Sequence, residues 1–122
     1  MKQVLSIGQC RPDHAAISRL LTQNFSVEIT EAALAPEALT LVRERTFDLV
    51  LVNRKLDADY SEGTDIIQAM QADAALSAVP IMLITNYAEH DEAAVKMGAV
   101  SGFGKAALAS PETLEKLGRF LA

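Results

Sequence analysis

The stretch Phe47–Leu56, FDLVLVNRKL, carries four consecutive apolar residues, Leu49 to Val52, and then turns polar at Asn53. An apolar run this short and unbroken reads as a strand covered on both faces, as in a parallel sheet. Runs of the same kind lie on either side of it. Val4, Leu5 and Ile7, interrupted only by Ser6, end at Gly8, and Ile81–Ile84 follows Pro80. Ser26–Ala32 alternates, with Val27 and Ile29 on one face. A fifth strand is expected over Val100–Gly104, its ends blurred by Gly102 and Gly104.

Helical patterns fill the intervals. Pro12 suits the first turn of a helix whose buried stripe is Ala16, Ile17, Leu20 and Leu21. Pro36 opens a second, with Ala38, Leu39, Leu41 and Val42, ending at Thr46 and Phe47. A third begins after Gly63, carries Ile66, Ile67 and Met70 inward, and fades before Pro80, which turns its neighbour away from helix. A fourth, Glu89–Met97, stops at Gly98. The fifth has Ser110 as N-cap, Pro111 at its first position, and Leu114, Leu117 and Leu121 three or four apart. Five strands alternating with five helices predict a single doubly wound (βα)5 α/β domain over residues 1–122. Its five-stranded parallel sheet has order 2-1-3-4-5 with helices on both faces, a flavodoxin-like fold.

Composition narrows the function classes. The 122 residues fit one domain, half of them are apolar, and the formal charge is −5, which disfavours a nucleic-acid partner because phosphate backbones demand clustered Lys and Arg. Cys10 is the only cysteine, so neither an intrachain disulfide nor a cysteine metal cluster can form. The run Met1–Ile7 is too short for a signal-peptide core or a membrane span. A cytoplasmic protein is expected.

In doubly wound sheets chemistry sits beyond the carboxyl ends of the strands, where strand order reverses. That crevice is expected to collect Gly8–Arg11, Asn53–Asp57, Thr85–Tyr87 and Gly104–Lys105. FDLVLVNRKL followed by Glu62-Gly63 resembles the third strand and following loop of the response-regulator receiver domain family. VPIMLITNYAE (79–89) is similar to its fourth strand, and GAVSGFGK (98–105) to its fifth with the lysine. The order and spacing of Gln9, Asn53, Thr85 and Lys105 agree as well, so the resemblance spans essentially the whole chain.

The resemblance implies a module of bacterial two-component phosphorelay signalling, with an aspartate that accepts a phosphoryl group, an acidic pair that holds Mg²⁺, a Thr or Ser, and a Lys. Asn53 stands at the acceptor position. Gly8 and Gln9 stand at the acidic pair, and a shift of one residue would place Gln9 and Cys10 there, again without a carboxylate. Thr85 and Lys105 persist. Asparagine is uncharged and a poor nucleophile, and Mg²⁺ prefers carboxylate oxygens, so phosphoryl transfer and Mg²⁺ binding are expected to be lost and no cofactor is expected. The family's switch aromatic aligns with Gly102, with Phe103 one place later, and the proline after the lysine is Ala106.

Blander roles compete at each position. Asn53 can serve by satisfying backbone groups. Lys105 can turn to solvent, pair with Asp57, or form with Thr85, Gln9 and Asn53 a hollow for a small anion. Cys10, at the crevice mouth, suits an inert thiol better than a redox sensor, and His14 and His90 suit solvated or capping roles. Asp13, Asp57 and Asp59 are the carboxylates nearest the crevice in sequence. Asp13 fits a first helical turn and the other two a polar loop.

The expectation is therefore a pseudo-receiver, not an enzyme, acting by phosphorylation-independent binding of a protein partner or of itself. The resemblance points to the face carrying Glu89, Asp91, Glu92, Lys96, Phe103, Glu112, Glu115, Lys116 and Arg119. One rival is a conventional phosphorelay receiver using a displaced carboxylate such as Asp57. Another is a flavodoxin-like cofactor binder, for which GQCRPD (8–13) lacks the Ser/Thr/Gly-rich phosphate loop.

Overall fold

The computed structural model describes residues 1–122. The chain runs β1 (Lys2–Ile7), α1 (Arg11–Asn24), β2 (Val27–Ala32), α2 (Ala35–Glu44), β3 (Leu49–Asn53), α3 (Gly63–Ala72), β4 (Ile81–Ile84), α4 (Ala88–Lys96), a single 3-10 turn (Lys105–Ala107) and α5 (Pro111–Leu121). The sheet is parallel throughout, in the order β2-β1-β3-β4. Val4–Ile7 of β1 pair with Leu49–Val52 of β3, and Val50–Asn53 pair with Ile81–Ile84.

Successive side chains of a strand point to opposite faces, and each face has built its own core. Leu5, Ile7, Val50, Val52, Ile81 and Leu83 pack with Ala38, Val42, Ile66, Ile67, Met70 and Ala94 of α2, α3 and α4. Val4, Leu49, Leu51, Met82 and Ile84 pack with Ile17 and Leu21 of α1 and Leu117 and Leu121 of α5. Each strand residue from Leu49 to Val52 is wholly buried, which is why that run carries no polar residue. Ser6 is the exception in β1. It is buried, and its hydroxyl has no hydrogen-bond partner. Its desolvation goes uncompensated, so Ser6→Ala is expected to raise the free energy of unfolding by about 1 kcal/mol in a urea titration. A loss of stability of that size would show that the hydroxyl is satisfied.

The expected fifth strand does not form. The segment Val100–Gly104 runs beside β4, but only Val100 makes a ladder pairing, with Met82. The reason lies at Gly102, whose backbone groups are taken by side chains: its N–H donates to Asp91 Oδ1 (2.9 Å) and its carbonyl accepts from Lys116 Nζ (2.9 Å). Ser101 joins the same clamp, donating to Asp91 Oδ2 and accepting from Lys116 Nζ. Polar side chains of α4 and α5 thus interrupt the ladder at Gly102, leaving backbone bonds to the β4 side only from Val100 N–H to the Ile81 carbonyl (2.9 Å) and from Thr85 N–H to the Phe103 carbonyl (3.2 Å), and the regular sheet has four strands.

The helix termini follow local chemistry. Pro lies in the first turns of α1, α2 and α5, and Ser110 caps α5 by accepting from the Glu112 N–H (3.2 Å). Gly98, with φ of +113°, carries the chain away from α4 in a conformation that other residues resist.

Candidate functional site

β1, β3 and β4 end side by side, and the loops leaving them form the crevice. Asn53, the last residue of β3, turns its amide across the mouth: Nδ2 donates to the Lys55 carbonyl (2.8 Å) and to the Gly8 carbonyl (3.3 Å). Both partners are acceptors only, so the position demands a donor. The blander role of Asn53, satisfying backbone groups, is the one the geometry displays.

Gly8 has φ of +72°, and its α-carbon lies under Leu56. A Cβ built there would sit 2.5 Å from Leu56 Cγ and 2.9 Å from Leu56 Cα. Leu56 is itself wholly buried, held by the loop that returns through hydrogen bonds from Leu56 N to Ser61 O and from Asp57 N to Gly8 O. The chain between β3 and α3 therefore closes over the first loop, and an apolar side chain fills the space beside Gly8. Tyr60 sits at the tip of this loop with φ of +58° and three quarters of its surface exposed. Asp59 stabilises the turn by accepting from the Ser61 hydroxyl and N–H, which lowers its carboxyl pKa.

Asn53, Thr85 and Lys105 do come together, with Arg54, Lys55 and Tyr87, around a hollow of about 200 Å³. Gln9 does not join them. It lines a separate hollow with Arg11, His14, Glu31 and Asp57, and both polar atoms of its amide are buried without partners. Thr85 is engaged locally: its hydroxyl oxygen accepts from the Tyr87 N–H (3.2 Å) and lies 3.4 Å from His90 Nδ1.

Lys105 departs from expectation. It pairs with Asp13, not Asp57, at 2.6 Å between Nζ and Oδ2. Asp13 does occupy the first turn of α1, and from there it reaches across the crevice. The Cys10 thiol donates to the same carboxylate oxygen at 3.0 Å. These two hydrogen bonds, the one from Cys10 first and then that from Lys105, hold the Asp13 carboxyl below its ordinary pKa. In return, the hydrogen bond to Asp13 pushes the Cys10 thiol up, the condition of an unreactive cysteine. Asp13 is the only acidic residue from Gly8 to Asn24, and that solitary acid beside the crevice was the signal available in the sequence. His14 Nε2 lies 2.8 Å from Glu31, and His90 packs edge-on against the Tyr87 ring.

On the α4–α5 side, Glu89, Glu92, Lys96, Glu112, Glu115 and Arg119 are exposed. Asp91 and Lys116 point inward to the Ser101–Gly102 clamp. Phe103 is a correction: expected on the surface, it is buried in the core between the sheet, α1 and α5. Gly102 leaves no space for a side chain, since a Cβ there would lie 2.5 Å from the Leu83 carbonyl oxygen. A hollow of about 270 Å³ lies between the start of α4 and α5, lined in part by Tyr87, Asp91, Gly102, Thr113 and Lys116.

A doubly wound parallel sheet with its loops gathered at this edge defines a class, and comparison with known families places the chain within it. The family model for the response regulator receiver domain matches residues 12–116, and the chain belongs to that family. A chemotaxis response regulator, CheY4 of Vibrio cholerae, is similar in structure, with a TM-score of 0.75 and 22% identity over 99% of each chain. The receiver domain of the Francisella response regulator 1452 superposes with a TM-score of 0.81 at 15% identity, covering 98% of this chain and 96% of that one. A response regulator protein of Burkholderia pseudomallei, solved with a phosphorylated aspartic acid, calcium ion and citrate, gives 0.73 at 22% identity, over all of this chain and 67% of that one. No curated protein gave a significant match. No helix is long and apolar enough to cross a membrane.

Proposed function

We infer that this receiver domain works without phosphorylation, as a protein-binding module of two-component signalling that has lost its phosphoacceptor aspartate and its Mg²⁺-binding acidic pair. The observation that carries the inference is the pair of hydrogen bonds from Asn53 Nδ2 to the carbonyls of Gly8 and Lys55. A carboxylate has no proton to donate at neutral pH, so the backbone around residue 53 suits an amide. Supporting it, Leu56 fills the space beside Gly8, and Asp13 already neutralises Lys105.

Binding is assigned to the exposed side of α4 and α5, where Glu89, Glu92, Lys96, Glu112, Glu115 and Arg119 offer charges of both signs to a protein partner or a second copy. Such a pattern confers register and steering more than affinity. The inward Asp91–Lys116 clamp holds the two helices to the segment between them without a ligand. Incubation with acetyl phosphate and Mg²⁺, followed by intact mass measurement, is expected to give no phosphate adduct. An adduct mapped to any aspartate, Asp57 included, would refute the inference.

A further inference from the structure

The Lys105–Asp13 contact is the shortest ion pair in the protein. The other lysine and arginine pairs span 3.2 to 4.0 Å. Both partners are about 70% buried, at 29% and 31% side-chain exposure, so solvent screens them less than a surface pair. The contact also joins distant elements. Asp13 belongs to the first turn of α1, while Lys105 opens the 3-10 turn that leads into α5, so the pair bridges the crevice over the ends of the central strands.

The remaining polar groups of the 200 Å³ hollow are committed in part. The Asn53 amide is spent on two carbonyls, and Thr85 already accepts from Tyr87 N–H. Arg54 and Lys55 are held only loosely, both by Glu62, at 4.0 and 3.6 Å. The charged side chains that line the hollow are thus three cations, Arg54, Lys55 and Lys105, and the carboxylates that offset them, Glu62 and Asp13, reach them from outside its lining. Of the two, Asp13 makes the shorter contact, and it does so on the lysine that shares the hollow with Asn53 and Thr85.

We propose that Asp13 is an internal counter-ion that masks an oxyanion site at Lys105: its carboxylate occupies the ammonium in place of a ligand and keeps the crevice closed to anions. Removing that charge leaves three cations against one carboxylate, with an ammonium free to take a tetrahedral oxyanion such as sulfate or phosphate. The mask is independent of the partner assigned above and stands or falls separately.

The test is a sulfate titration of the full chain followed by ¹H–¹⁵N NMR, at constant ionic strength held with sodium chloride, on the wild type, Asp13→Asn, Asp13→Ser and the double variant that combines Asp13→Asn with Lys105→Gln. Both single variants are expected to bind sulfate about tenfold more tightly than the wild type, with shifts centred on Asn53, Thr85, Asn86 and Ala106. The double variant is expected to lose that gain. Equal sulfate affinity in the wild type and the single variants would overturn the proposal, as would a gain that survives Lys105→Gln. Unfolding of both single variants would overturn it too, because a pair at the rim of the crevice, outside both cores, is then a keystone and not a mask.

Discussion

Gly8→Asp, the substitution that reinstates an acidic residue after β1, is expected to destabilise the protein by at least about 3 kcal/mol and to create no Mg²⁺ site. Three costs add. The backbone at residue 8 has φ of +72°, where an L side chain costs about 1–2 kcal/mol. The new Cβ falls 2.5 Å from Leu56 Cγ and 2.9 Å from Leu56 Cα, and because the second of these is backbone the loop itself must move, an overpacking cost of about 1–3 kcal/mol. The carboxylate would then lie against a wholly buried leucine, where desolvation works against its charge.

Urea denaturation measures the total, and Gly8→Ala separates the parts, since it shares the first two costs and lacks the third. A loss several times larger in Gly8→Asp than in Gly8→Ala would move the weight onto charge burial. The metal half of the expectation is checked by repeating the melt with Mg²⁺. A ligand that binds only the folded state raises its stability with concentration. A Mg²⁺-dependent rise in the melting temperature of Gly8→Asp would therefore mean that the loop can reopen around the metal.

The difference between what was legible in the sequence and what was not follows the range of the interactions concerned. The parallel sheet could be read because Leu49–Val52 and Ile81–Ile84 must be apolar on both faces, a local signature that survives any detail of packing. Asn53 could be placed at the strand end for the same reason. The fifth strand misled because Val100, Phe103 and the spacing looked right. What decides the ladder is whether Gly102 gives its N–H to β4 or to Asp91, a choice made by a helical residue eleven positions away. Phe103 then turns into the core, leaving the surface.

The crevice shows the same division. That Gly8 and Gln9 are not carboxylates is written in the chain. That Leu56 covers Gly8 depends on how the loop before α3 folds back, through Asp57 N–H to the Gly8 carbonyl. Asp13 read as a helix-dipole residue, and it is one. Its second role needs the crevice to bring residue 105 within 2.6 Å, which no spacing along α1 announces. Sequence position thus located the crevice at the strand ends, while the countercharges within it were set by tertiary contact.

Asn53→Asp, which puts an aspartate where the family resemblance places the acceptor, is expected to cost about 1–3 kcal/mol at neutral pH and to leave the protein unphosphorylated. The amide it replaces donates to Lys55 O at 2.8 Å and Gly8 O at 3.3 Å. A carboxylate oxygen in the same place faces two carbonyl oxygens as a third acceptor, which removes the bonds and leaves both carbonyls to repel it. The neutral acid, in contrast, still has one proton to give to Lys55 O. Arg54, Lys55 and Lys105 line the same hollow and pull the other way, but each already has a carboxylate partner in Glu62 or Asp13, whereas the two carbonyls would touch the new group directly. Folding therefore favours the protonated form, and the pKa of the introduced carboxyl in the folded variant lies above its value in the unfolded chain. The sign follows from linkage: below the unfolded value both states are protonated and the deficit is smallest, and as pH rises through the unfolded and then the folded pKa the unfolded state is increasingly favoured. Denaturation of wild type and variant side by side should thus show a stability gap that is widest near neutrality and narrows below about pH 4. A gap that widens on acidification would mean that the ionised form is the better accommodated, and that the crevice keeps donors for an aspartate after all. Treatment of the same variant with acetyl phosphate and Mg²⁺ completes the experiment. With glycine and glutamine at residues 8 and 9, and Asp13 committed to Lys105, a lone carboxylate at residue 53 has no second acid to share a metal with, so restoring the acceptor alone should not restore the reaction.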